Sequence, residues 1–261
     1  MLIDGTNALT IDTTFDFTTD TPGYWDGFWE RREGWGAGNT DPDALSPTLK
    51  RYHKELWSKT LPNGQVFMLE EGKNLGDYLM WNDIGFGSDS IIVSFNYVKY
   101  LHMKDELIRV LPDFKKYREN CIRRAYTIGG MIIFPKHRNS MNQARGTRKM
   151  ICDRWDLTME CIRRYYNGEN SPLSDIIESD KAFFDLFVDF KGYVDFFFLQ
   201  DCVTEDYRNV IFWEGDGSFR EYPFPESVED YLSWMENEMD FLDKRNNRIK
   251  EAVAGVNYEG A

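Results

Sequence analysis

Positive charge in this acidic chain is concentrated in one segment. Residues 115–164 hold 13 Lys and Arg against 4 Asp and Glu, whereas the whole chain holds 31 against 44 and has a net charge of −13. A fold that contains this basic segment must either neutralise its cations with acids from elsewhere in the chain or present them to an anionic ligand. The basic segment also contains an apolar run, 128–134, followed by a polar loop, so one part of it must be buried.

Local sequence patterns predict a mainly helical α+β domain. Ser46 followed by Pro47 is a typical helix start, because serine caps the first turn and proline fits its first position. That helix is expected to end near Ser58. A second helix is expected to be capped by Ser88 and Asp89. Apolar spacing and capping residues together predict helices at 88–110, from 112 through 122, and at 148–166, 171–187, 191–201 and 227–253.

The same patterns leave room for only a small sheet. Short strands or extended segments are predicted at 65–70, 77–81 and 210–213, and a buried strand is predicted at 127–134, where Pro135 stops it. The expected fold class is therefore α+β, with a small sheet of few short strands.

The chain is expected to consist of one domain preceded by an arm. Residues 1–45 carry 9 acids and 2 bases and show weak periodicity, which predicts an irregular acidic arm that packs on the body through Trp25, Trp29 and Trp35. Residues 46–261 are expected to form a single α+β domain. It ends in a long amphipathic helix that is acidic early and basic late, as the helix dipole favours.

The length of the apolar runs and the spacing of the cysteines indicate the compartment in which the protein resides. No apolar run approaches the ~18 residues that a bilayer span requires, and the first residues lack the basic and apolar regions of a secretory signal. The four cysteines show neither CxxC spacing nor a close pair, which favours free thiols in a reducing compartment. A cytoplasmic protein without a membrane partner is expected.

The polar loop of the basic segment is the candidate ligand site. Asn142, Gln143 and Arg145 belong to the run NQARG, and Arg138 and Arg148 flank it. Because guanidinium groups match two oxygens of a phosphate or carboxylate and amides add neutral donors, the run predicts binding of an anionic small molecule or nucleotide. The alternative is a polar loop that bonds to its own backbone and caps the next helix.

Three further residues belong to the ligand-binding hypothesis. Arg154 lies beside the apolar stripe of the helix predicted at 148–166, where it would either point into a pocket or pair with an acid. Gly129 and Gly130 begin the apolar run, and glycine at such a position indicates close approach of a ligand or of a neighbouring helix. The chain has neither the GxxxxGK[ST] nor the GxGxxG pattern of nucleotide-binding loops.

Candidates for chemistry are few. The chain has three histidines, His53, His102 and His137, and none has the spacing of a zinc site. If the protein is an enzyme, His53 or Asp153 is the acid–base candidate, although a lone histidine is more often structural. No metal site is predicted and no cofactor can be named, so enzymatic activity stays open.

Several strings resemble a bacterial family of uncharacterised cytoplasmic proteins, a domain of unknown function. The resemblance covers about residues 40–205. It implies a single domain and supplies no catalytic residues, because the family has no established activity. The strings are DPDALSPTLKRYHKELWSKTLPNGQVF at 41–67, SDSII at 88–92, YTIGGMIIFP at 126–135, MNQARG at 141–146, DRWDLTMECIRRYY at 153–166, SPL at 171–173 and DFKGYVDFFFLQDCV at 189–203.

Two weaker likenesses suggest specific reactions. The order Tyr52-His53, Tyr78 and 88–90 is similar to the NAD-binding elements of mono-ADP-ribosyltransferases, but those enzymes are rich in strand and here the Tyr-His pair lies on a predicted helix. Residues 129–143 are similar to a segment of HNH nucleases, but Gly130 stands in place of its asparagine.

The rival hypothesis is a protein without catalysis. A component of a toxin–antitoxin or phage-defence system would dock a protein partner through its acidic surface or its C-terminal helix, and the basic segment would then neutralise the chain's own acids. Nucleic acid is a disfavoured partner because the net charge of −13 repels a polyanion.

Overall fold

Helix is the dominant secondary structure of the computed structural model, which describes residues 10–26, 40–72, 78–91, 97–147, 150–151, 154–219 and 225–259. The α-helices are α1 (Pro42–Leu45), α2 (Pro47–Trp57), α3 (Tyr97–Val110), α4 (Phe114–Ala125), α5 (Trp155–Tyr166), α6 (Ser174–Ser179), α7 (Lys181–Phe184), α8 (Phe190–Phe196) and α9 (Val228–Glu259). The strands are β1 (Lys59–Thr60), β2 (Val66–Phe67), β3 (Glu70–Glu71), β4 (Leu79–Trp81), β5 (Ile84–Ser90) and β6 (Met131–Pro135).

The strands form two small antiparallel sheets. β1 pairs with β2, and the larger sheet has the order β3-β4-β5-β6. In that sheet β6 is buried along its whole length and pairs only with β5, with Asp89 opposite Ile132 and Gly87 opposite Phe134. The fold is therefore the expected α+β domain with few short strands.

The edge of the larger sheet is covered by the terminal helix. α9 packs against α4 and against a short 3-10 turn, Ile128–Gly130, that leads into β6. A Cβ on Gly129 would lie 2.6 Å from the Asn246 side chain, and a Cβ on Gly130 would lie 1.8 Å from the Ala125 carbonyl oxygen. A close approach of either a ligand or a neighbouring helix would explain this glycine pair, and in the structure it is the neighbouring helices that approach.

The prediction that Ser88 and Asp89 cap a helix is wrong. Both residues lie in β5, and the helix that follows, α3, begins at Tyr97. The capping propensity of serine and aspartate is a local preference worth about 1 kcal/mol, whereas β5 makes a continuous ladder with a buried strand more than forty residues later in the chain. The non-local pairing outweighs the local preference.

Other element boundaries also differ from the predictions. The helix predicted at 148–166 begins at Trp155, and the helix predicted at 171–187 is divided into α6, α7 and a 3-10 turn, Asp185–Phe187. Val188 ends that turn with a left-handed φ of 71°, which a continuous helix cannot accommodate. Of the strand predicted at 210–213, only an isolated bridge between Val203 and Val210 remains in the described chain.

The described part of the arm is attached to the body. Phe17 is fully buried and its backbone N–H donates to the Tyr126 carbonyl at 2.9 Å. The Arg123 guanidinium lies 4.4 Å from the centre of the Trp25 ring. Trp29 and Trp35 lie outside the described residues. Within the described ranges no helix has both the length and the apolarity that a bilayer span would need.

The crowding at Gly130 generates a stability prediction. Gly130→Ala is expected to lower the free energy of unfolding by at least ~2 kcal/mol, because the added methyl meets rigid backbone. Gly85→Ala is the matched control, since its Cβ would meet nothing within 4 Å, and a change within ~0.5 kcal/mol is expected. Urea denaturation of both variants measures the difference, and equal stabilities would contradict the packing described above.

Candidate functional site

Much of the basic segment is neutralised by the chain's own acids. On α5, Glu160 accepts hydrogen bonds from both Arg163 and Arg164 at 2.7 Å, and the pairing lowers the pKa of Glu160 even though its partial burial raises it. The Glu160–Arg164 ion pair predicted from the sequence is thus present. Arg123 pairs with Asp16 of the arm at 2.9 Å. These cations are therefore neutralised by carboxylates of the same chain.

Arg154 is a buried strut. Only 3% of its side chain is exposed, and it makes a two-point ion pair with the fully buried Asp156 and donates to the Glu214 carbonyl at 2.8 Å. Asp156 also accepts from the backbone N–H of Trp213. Of the two roles considered for Arg154, pairing with an acid is the one its described contacts show, and the pair ties the start of α5 to the segment around Trp213.

The NQARG loop is anchored on the central sheet. It forms a π-helical turn, Gln143–Thr147. The Asn142 amide donates to Asp89 of β5 at 2.8 Å, and the Arg145 guanidinium donates to the same carboxylate at 2.6 Å. Arg145 is 1% exposed, so this ion pair is buried. The loop therefore places one guanidinium inside the protein, while the Gln143 side chain is half-buried.

The remaining predicted site residues do not gather around this loop. Arg138 is exposed in the turn after β6, and Gly129 and Gly130 serve helix packing. Arg148 and Asp153 lie outside the described residues.

A second buried guanidinium belongs to a residue that the sequence analysis did not select. Arg245 of α9 is 0% exposed, and it donates to the carbonyls of Gly129 (2.7 Å), Met131 (2.9 Å) and Phe197 (3.0 Å). Burial lowers its pKa to about 9, so it remains a cation at neutral pH. Within the described chain it makes no ion pair with a carboxylate, and its charge is balanced by carbonyl dipoles.

Three other buried side chains lie around these two arginines. The Trp57 ring is 5.9 Å from the Arg245 guanidinium. Both arginine cations act on the pKa of Tyr193, which burial raises, and Arg245 acts on His53. We call these five residues, His53, Trp57, Arg145, Tyr193 and Arg245, the inner cluster. Their elements, α2, the π-helical turn, α8 and α9, are far apart in sequence.

Several polar atoms of the inner cluster lack hydrogen-bond partners. Each such atom costs roughly 1–3 kcal/mol when buried. Arginine and tryptophan nitrogens can only donate, so the group that would satisfy them must be an acceptor. The atoms that are buried and without a hydrogen bond to any described residue include His53 Nε2, Trp57 Nε1, Tyr193 OH and Arg245 Nη2.

His53 is held as a neutral imidazole. Its ring is 0% exposed and Nδ1 lies 3.1 Å from the Tyr78 hydroxyl. Burial, together with the Arg245 cation, lowers the pKa of His53 to about 3. One ring nitrogen is therefore oriented by Tyr78, and Nε2 is buried without a hydrogen-bond partner in the described chain.

The chemistry of the inner cluster suits an oxyanion better than a metal. It combines two guanidinium cations with indole and phenol donors, and such groups repel a metal cation. Among the residues that the structure describes, no group of three His, Cys, Asp or Glu side chains is arranged to hold a metal ion.

The position of Arg245 in the helical pattern of α9 is a sequence signal for its burial. Leu242 and Ile249, at three residues before and four after, are fully buried on α9. Arg245 therefore occupies the apolar stripe, where an arginine is almost never found without a specific partner.

Comparison with known proteins identifies a family. The model of a family of unknown function, DUF6994, matches residues 11–249, which confirms the resemblance to a domain of unknown function. No curated protein and no solved structure matches the chain.

The buried Arg154–Asp156 pair generates a second stability prediction. Arg154→Ala is expected to lower the free energy of unfolding by about 3–5 kcal/mol, because it leaves Asp156 buried without its cation. The control is Arg208→Ala, which removes an arginine that is 83% exposed and is expected to cost less than ~1 kcal/mol. Chemical denaturation distinguishes the two, and a small effect of Arg154→Ala would mean that the arginine is not a strut.

Proposed function

We propose that this chain, which belongs to the DUF6994 family, binds a small molecule through an oxyanion held in the inner cluster. The single observation that carries the proposal is Arg245, a fully buried cation whose described hydrogen-bond partners are all carbonyl oxygens. Burying an unpaired charge is among the most costly arrangements in a protein. An anionic ligand beside Arg245 offsets that cost.

The neighbouring groups support the same class of ligand. Arg145 is already paired with Asp89, whereas Arg245 has no ion pair with a carboxylate among the described residues. Tyr193 and Trp57 each offer a buried hydrogen atom to an acceptor. A phosphate or carboxylate presents several acceptor oxygens at once and matches a cluster of donors. Aromatic rings beside the cations add stacking surface for a nucleotide base or a ring metabolite.

The proposed anion site lies inside the protein, whereas the site predicted from the sequence lies on the NQARG loop and its flanking arginines. The hypothesis drawn from the sequence gave the anion to Arg138, Arg145, Arg148 and Arg154, with Asn142 and Gln143 fixing its orientation. Arg145 is the residue that both versions share. Asn142 acts on the ligand indirectly, because it holds the Asp89 carboxylate that positions the Arg145 guanidinium.

A second candidate is an NAD-dependent transferase, similar to ADP-ribosyltransferases. The observation in its favour is the hydrogen bond between His53 and Tyr78, two residues of the likeness noted in the sequence. Against it, His53 lies on α2 and the described sheet is small. Because NAD carries a pyrophosphate, it belongs in the same set of test ligands.

Tyr193→Phe is the sharpest test of ligand binding. The change removes a hydroxyl that has no hydrogen-bond partner in the described chain while keeping the ring, so the stability without ligand should stay equal or rise slightly. A thermal-shift screen of nucleotides, NAD, sulfate, phosphate and phosphorylated metabolites is expected to find a ligand that adds about 2.7 kcal/mol at one hundred times its Kd. Tyr193→Phe should weaken that ligand by roughly tenfold or more.

Tyr166→Phe is the matched control. The Tyr166 hydroxyl donates to the Phe184 carbonyl at 2.6 Å, so its loss should lower the stability by about 1 kcal/mol and leave ligand affinity unchanged. If no anionic ligand shifts the wild type, or if both variants bind equally well, the inner cluster is not the binding site.

A further inference from the structure

His53 is placed so that its protonation state and the occupancy of the inner cluster depend on each other. Its ring is fully buried, Nδ1 is bonded to Tyr78, and Nε2 is unbonded with respect to the described residues. Trp57, one helical turn after His53 on α2, has its ring 5.9 Å from the Arg245 guanidinium, so His53 and Arg245 lie in the same part of the core. Burial keeps the free imidazole neutral, and the repulsion that a protonated ring would meet from Arg245 acts in the same direction.

The charges around the ring come from several elements. Asp43 acts on Tyr78 and Asp89 is paired with Arg145, so the nearby carboxylates are engaged with other groups. Arg245 also lowers the pKa of Lys59, to about 7, after burial, which indicates an excess of positive charge in this region. Arg245 of α9 acts on His53, on Lys59 of β1 and on Tyr193 of α8, and Tyr78, which is bonded to His53, is acted on by Asp43 of α1.

We propose that His53 takes up a proton when an oxyanion binds beside Arg245, so that the ligand and the proton bind together. The inference rests on the proposed function, since it needs an oxyanion in the inner cluster. The bound anion cancels the repulsion from Arg245, and the protonated Nε2 donates a charge-assisted hydrogen bond to it.

Tyr78 and Ser88 allow the ring to accept this proton without losing a bond. In the protonated imidazole, Nδ1–H must donate, so the Tyr78 oxygen becomes the acceptor and its hydroxyl hydrogen has to turn away. The Ser88 side chain lies close enough to the Tyr78 hydroxyl to act on its pKa, and Ser88 Oγ is a buried atom without a partner in the described chain. It can accept the hydrogen that Tyr78 turns away from His53.

The sign of the pH dependence follows from linkage. Without ligand the pKa of His53 is depressed to about 3, so the ring is neutral at every pH from 5 to 8. With ligand the pKa is raised, so affinity is highest at low pH and falls as the pH rises through the pKa of the complex. Between the pKa of the free protein and the pKa of the complex, each unit of pH changes the affinity by up to about tenfold, and above the pKa of the complex the affinity no longer depends on pH.

Sulfate is the probe of choice, because its charge is constant from pH 5 to 8. Isothermal titration of the whole chain with sulfate, in two buffers of different ionisation enthalpy, counts the protons taken up per anion. We expect the Kd to fall at least about fivefold between pH 8 and pH 6, with proton uptake close to one per sulfate at the low end. His53→Gln should bind without uptake, and His137→Gln, which changes a partly exposed histidine bonded to Asp180, should retain it.

The proton is also observable in the unmodified protein. The chain has three histidines, so the ring Cε1–H signals resolve individually by NMR, and only the signal of His53 should move to the imidazolium position when sulfate is added at pH 6. Sulfate binding that is independent of pH, with an unchanged His53 signal, overturns this inference and leaves the proposed function standing. Failure of sulfate and of every other oxyanion in the screen to bind overturns both.

Discussion

The hydrogen bonds of Arg245 connect three parts of this fold that are far apart in sequence. One guanidinium on α9 reaches the carbonyls of Gly129 and Met131 at the start of β6 and that of Phe197 just after α8. The neighbouring Asn246 bonds to the Gly129 backbone N–H and to Thr127. The terminal helix thereby covers the free edge of the sheet, and the glycine pair is required because α9 and α4 both approach so closely.

The same arrangement explains how an acidic protein contains a basic segment. Arginines at its two ends pair with acids on the arm and on α5, and Arg154 is enclosed with Asp156. These ion pairs neutralise much of the positive charge of the basic segment. What they leave is an interior region with two buried guanidinium groups, one of which has carbonyl oxygens and no carboxylate as hydrogen-bond partners among the described residues. Function is therefore to be sought inside the fold and not on the surface of the NQARG loop.

Sequence patterns predicted the features that depend on local preference. The start of α2 at Pro47, the long terminal helix and the Glu160–Arg164 pair all follow from capping and from helical spacing, and they are present. Features that depend on distant partners were not predicted. Ser88 and Asp89 have the composition of a helix cap, and only the β6 ladder places them in a strand. In the sequence, Arg245 is one of several basic residues at the end of a helix. Its hydrogen bonds to carbonyls near the start of β6 are visible only in the structure. His53 was selected from the sequence, but its bond to Tyr78 and its burial beside a cation were not.

A crystal structure with a heavy oxyanion tests the central claim most directly. Selenate is tetrahedral and doubly charged, and its selenium is located without ambiguity by anomalous scattering. The account predicts an anomalous peak in the inner cluster, within about 4 Å of Arg245 Nη2 and the Tyr193 hydroxyl, as expected for a charge-assisted hydrogen bond to a selenate oxygen. Anomalous peaks confined to exposed lysines and arginines, with none beside Arg245, would contradict it.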